Sequence, residues 1–170
     1  TQPEGAVCDD ENRTLFIGEE NNGIWKFDAA ADASEIGVLI EDLSNTKLNA
    51  DIEGLTIYYA ANNQGYLIAS SQGNNSYALF ERTGSNKYLG SFRIVDGVSI
   101  DRTTETDGID VCNLALGSLF PDGVFVAQDD ANYNGDSLLP QNFKLVSWAK
   151  IAGLFDPPLT TDNSYRSSAH

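Results

Sequence analysis

The sequence predicts an all-β chain made of β-propeller blades, and three observations predict it. The same segment occurs three times in 170 residues: an acidic residue and a glycine, then three short runs enriched in β-branched and aromatic residues. The acidic residues stand at 4, 53 and 107, so the repeat length is 49 and then 54 residues. A four-stranded blade takes roughly 40 to 50 residues. Between the runs lie strand-reversing pairs, Asn22-Gly23, Gln64-Gly65 and Asp122-Gly123.

The elements follow in order. The first repeat runs from Glu4-Gly5 through Leu15-Phe16-Ile17 to Ile24-Trp25-Lys26-Phe27, with an outer strand expected over 36–40. The second runs from Glu53-Gly54 through Tyr66-Leu67-Ile68-Ala69 to Tyr77-Ala78-Leu79-Phe80, with an outer strand over 88–95. The third runs from Asp107-Gly108 through Val124-Phe125-Val126-Ala127 to Phe143-Lys144-Leu145-Val146. There the chain turns into a short helical piece over 149–154, so the third blade is expected to lack its outer strand. Residues 1–150 are read as propeller and 151–170 as a C-terminal tail. About three blades fall below the four that close a ring, and an open stack exposes apolar faces and unpaired edges. The chain is therefore expected to be part of a larger propeller, in one polypeptide or two. An independent β-sandwich is the alternative that the threefold repeat disfavours.

Composition narrows the chemistry. There are 25 acidic against 10 basic side chains, a net charge of −15, which argues against nucleic acid or an anionic membrane as partner. The one histidine, His170, is the last residue, so histidine-based phosphatase, zinc-protease and Ser-His-Asp chemistry lose their central group. Neither Cys8 nor Cys112 stands at the spacing from arginine that a cysteine phosphatase needs, and both are expected to be free buried thiols. Carboxylates remain.

Equivalent positions of successive blades lie at one height around the axis, so Glu4, Glu53 and Asp107 should converge at one mouth of the channel. Asp51, Asp101, Glu105, Glu19, Glu20 and Asp129 fall near that height. Converging carboxylates repel unless a cation sits among them, and oxygen ligands on flexible loops favour calcium. Elsewhere, residues 9–12 read as a solvated hairpin turn and 28–35 as an exposed loop. Trp25, Phe27, Phe80 and Trp148 read as blade core.

Longer strings carry a resemblance. Residues 51–59, Gly65-Tyr66-Leu67-Ile68-Ala69-Ser70-Ser71-Gln72-Gly73-Asn74, residues 106–110 and 124–129 closely resemble the β-propeller phytases, which are secreted mostly by bacteria. The match covers about residues 4–150, and that family folds as a six-bladed propeller, of which this chain looks like the C-terminal half. The resemblance implies calcium-dependent hydrolysis of phosphate monoesters on phytate, inositol hexakisphosphate, by water held between calcium ions, with several Ca2+ bound and no covalent intermediate.

It implies that Glu4, Glu53, Asp101 and Asp107 ligate the active-site calciums, and that Glu20 and Asp51 are further ligands or their neighbours. Gln72 and Asp129 are weaker candidates on the channel side, and Arg102 a weak one for phosphate. The family's main basic and tyrosine substrate contacts come from its N-terminal half, so that half is an implied partner, and a secreted or periplasmic location is implied. Two alternatives stay open: a propeller that holds calcium and phosphates without turnover, and a calcium-dependent lactonase-type hydrolase. The latter commonly lacks the Ser70-Ser71-Gln72-Gly73-Asn74 string.

Overall fold

The computed structural model describes residues 2–165; His170 lies outside the described residues. Three antiparallel sheets follow one another along the chain. The first is ordered β1 (Pro3–Asp9), β2 (Thr14–Glu19), β3 (Gly23–Asp28), β4 (Val38–Asp42). The second is β5 (Ile52–Tyr59), β6 (Gly65–Ser71), β7 (Ser76–Glu81), β8 (Tyr88–Phe92). The third holds three strands, β9 (Ile109–Cys112) beside β10 (Val124–Asp129), and β10 beside β13 (Asn142–Ser147). Between β10 and β13 a small hairpin pairs β11 (Tyr133–Asn134) with β12 (Ser137–Leu138), and α1 (Trp148–Ala152) follows β13. This is a partial β-propeller of three blades.

Burial records which blade has two neighbours. In the central blade β6 and β7 are buried at nearly every position, whereas β2 alternates because only one of its faces is covered. One core, with Phe16, Ile24, Ile52, Leu55, Leu67 and Phe80, fills the gap between blades one and two. The other, with Tyr58, Tyr77, Phe92, Phe125, Trp148 and Ile151, fills the gap between two and three. In it the Tyr58 ring stacks on Trp148 with centroids 4.0 Å apart.

Four expectations are corrected. The first outer strand is Val38–Asp42, two residues later than expected, and the second, Tyr88–Phe92, ends three residues earlier than expected. Trp25 and Phe27 are half-buried rather than core, lining an open groove with Pro3 and Ile17 on the uncovered face of blade one. Asp9 is fully buried, not a solvated turn residue: Arg82 reaches across from blade two to pair with it at 2.7 Å. The cysteines are free, but Cys8 is exposed and Cys112 half-buried.

Candidate functional site

The repeated acid-glycine pair has a steric cause. A Cβ on Gly5 would stand 2.1 Å from the Glu53 carbonyl oxygen, and one on Gly54 would stand 2.6 Å from that of Asp107. Each glycine thus lets the next blade's inner segment pass against the backbone beside its own carboxylate. Gly54 N donates to Asp107 O at 2.8 Å, which closes the second contact. At the same places the β1–β2 and β5–β6 registers slip, between Pro3 and Ala6 and between Ile52 and Leu55. Glycine approach and bulge together put Glu4, Glu53 and Asp107 side by side.

Their mutual field is visible in Glu53. Burial first, then the charges of Glu4, Asp107, Asp51 and Glu20 push its carboxyl from the ordinary 4.5 up to about 7. Glu4, Glu20, Asp51, Glu53 and Asp107 therefore form one electrostatic group. Among the described ion pairs none of these five has a basic partner. Asp107 is oriented from both sides: Gln72 Nε2 donates to its Oδ1 at 2.8 Å, and its own N donates to Gln128 Oε1 at 2.9 Å.

Other residues singled out from the sequence lie elsewhere. Asp101 is turned toward Lys144 Nζ and accepts from Tyr133 N. Asp129 is fully buried, pairs with Lys144 at 3.1 Å, and accepts from Thr104 N at 3.0 Å. Arg102 is exposed, pairs with Asp96 at 3.5 Å, and lines a surface groove of about 410 Å³ rather than the carboxylate group. Glu19 accepts from Trp25 Nε1 and Asn22 Nδ2, leaving Glu20 as the one that faces Glu53. Glu105 donates its N to Asn75 Oδ1. Sequence reasoning missed Gln128; side-chain alternation along β10 separates it from Asp129 and was the signal available.

The donor set suits a hard divalent cation. Five neighbouring carboxylates at strand ends and in the loops beside them are the chemistry that calcium, with 6 to 8 oxygen ligands, accepts. Among the described residues no three acidic, histidine or cysteine side chains close into a ready-made ligand shell, so an ion there would complete its coordination with carbonyls, water or substrate.

Comparison with known proteins gives the family. The family model described as Phytase matches residues 1–167. The 3-phytase of Bacillus subtilis (strain 168) is 53% identical over 152 residues, which is 89% of this chain and 40% of that protein. The chain thus spans well under half the length of that relative. With the family model matched along nearly all of its length, the chain belongs to the phytase family.

Proposed function

We propose that this chain is the C-terminal part of a calcium-dependent phytase, which hydrolyses phosphate monoesters of phytate. The single observation that carries the reading is the group around Glu53: five acids converging without a basic partner among the described ion pairs. Such a group repels a polyphosphate unless cations fill it. Calcium, when bound, supplies positive charge to hold phosphate and acidifies water for attack on phosphorus.

The chain's own residues do the holding. Glu4, Glu53 and Asp107 are the central ligands, with Glu20 and Asp51 beside them. Gln72 fixes the direction of the Asp107 carboxylate, and Gln128 holds the Asp107 backbone by accepting from its N. Asp101 is proposed as a further ligand of the active-site calciums that shares its carboxylate with Lys144, and Arg102 as a weak phosphate contact from the adjoining groove. The remainder of the propeller, in the same or another chain, supplies most basic groups for the substrate and covers the open faces of blades one and three. Residues 1–150 form the propeller part and 151–170 its tail. No helix among the described residues is long and apolar enough to cross a membrane, and the acidic, lysine-poor surface supports export.

The test is phosphate release from phytate by the whole protein, with calcium and then with chelator. Release that stops with chelator supports the reading. A protein that binds calcium and phytate without release would be a binding module, and release indifferent to chelator would refute calcium dependence.

A further inference from the structure

Asp101 and Asp107 are carried by one stretch of chain, residues 101–107, that has no regular secondary structure. Such a segment lacks a ladder of its own and holds its shape through isolated backbone bonds, such as Asp130 N to Thr104 O at 3.1 Å and Gly54 N to Asp107 O at 2.8 Å, and through side-chain contacts. On the blade-two side these are Tyr77 OH with Thr103 Oγ1 at 2.8 Å and Thr106 Oγ1 at 2.9 Å, and Ser70 Oγ donating to Thr106 O at 2.8 Å. On the blade-three side a buried cation holds the start of the segment. Lys144, on β13 and 6% exposed, directs its ammonium at Asp101 Oδ1, at Asp129 Oδ2 at 3.1 Å, and at Asn132 Oδ1 at 3.2 Å. The ammonium thus hydrogen-bonds Asp101 and Asn132, and the buried Asp129 carboxylate lies within ion-pair distance of it. Asp129 passes the constraint on, its Oδ1 accepting from Thr104 N at 3.0 Å.

We propose that Lys144 is a positioning residue for the carboxylate group: it anchors residues 101–107 so that Asp107 meets Glu53 and Gln72. Its ammonium ties β13, the end of β10, the 130s loop and the start of the connector to a single point. From there Thr104 lies three residues before Asp107, and Thr106 Oγ1 donates to Gln128 O at 2.9 Å, setting the last step. The proposal rests on the calcium reading above, since its consequence is felt at that site.

A purely structural role for Lys144 is the competing account, because removing it strands the buried charge of Asp129. Two variants of the whole protein separate the accounts, Lys144→Met and the double variant Lys144→Met/Asp129→Asn. The second deletes the stranded charge yet keeps an amide oxygen for Thr104 N. Thermal unfolding in chelator and titration with calcium alone are read for both, together with kcat and KM on phytate. Positioning predicts that the double variant recovers most of the metal-free stability while its half-saturating calcium concentration stays at least tenfold above wild type and kcat stays lowered. A double variant with wild-type calcium response, or either variant binding calcium more tightly, overturns the proposal. A wild type that binds no calcium overturns the underlying reading itself, and that outcome is told apart by the unsubstituted protein alone.

Discussion

Glu53→Gln is the sharpest perturbation, because it changes sign with conditions. The carboxyl is pushed up to about 7 in the fold against 4.5 ordinarily, a difference worth at most about 3–4 kcal/mol at 1.36 kcal/mol per unit. Glu53 is half-buried, so solvent screening reduces this to about 1–2 kcal/mol. The folded-state value is raised, so folding favours the protonated form. The fold therefore carries no penalty from this group below about pH 4, loses stability as pH rises from 4.5 toward 7, and bears the full repulsion above 7. In chelator at pH 8 glutamine should stabilise by about 1–2 kcal/mol, and each kcal/mol moves the melting midpoint by about 2–4 °C in a unit of 150–250 residues. The gain should vanish near pH 4. If calcium fills the group as proposed, the order should reverse with calcium present, because the variant would lack a ligand and with it part of the stabilisation that ion binding provides. Thermal melts at pH 4 and 8, each with chelator or calcium, check all four corners. Equal effects at both pH values, or calcium stabilising the variant as much as wild type, would refute the repulsion argument.

The remaining predictions concern the frame. Arg82→Met should cost about 3–5 kcal/mol in urea unfolding at pH 7, since it leaves the fully buried Asp9 charge without its 2.7 Å partner. Burial opposes ionisation of Asp9, yet hydrogen bonds from Arg82 and Asn12 hold its carboxyl below the usual range. The stability from that pair should thus be present above the ordinary pKa of about 3.9 and be lost as pH falls through the depressed value, a loss absent in Asp9→Asn. Gly54→Ala should cost about 1–3 kcal/mol and weaken the calcium-induced rise in melting temperature, because its Cβ would meet the Asp107 carbonyl at 2.6 Å. Gly108→Ala, where no atom lies within 4 Å, should be tolerated and is the control.

The blades and the three central acids were legible because both are periodic. The spacing of Glu4, Glu53 and Asp107 shows in the sequence, and the glycine after each of the first two has a cause that repeats with it. Registers were less legible where a bulge intervened, as between Leu39 and Glu41, since one extra residue shifts a register without altering composition. What periodicity could not reveal is which acids have a cation of their own. Asp9 and Arg82 are 73 positions apart, Asp101 and Lys144 are 43, and neither separation follows the repeat. Together with Glu41, paired to Lys47 at 2.9 Å, these acids look no different in sequence from Glu53. Buried carboxylates are tolerated when a cation compensates them, and in these cases the chain provides one. Around Glu53 it provides none among the described ion pairs, although five acids share the space. On the reading proposed above, that convergence is the place a cation from outside would fill.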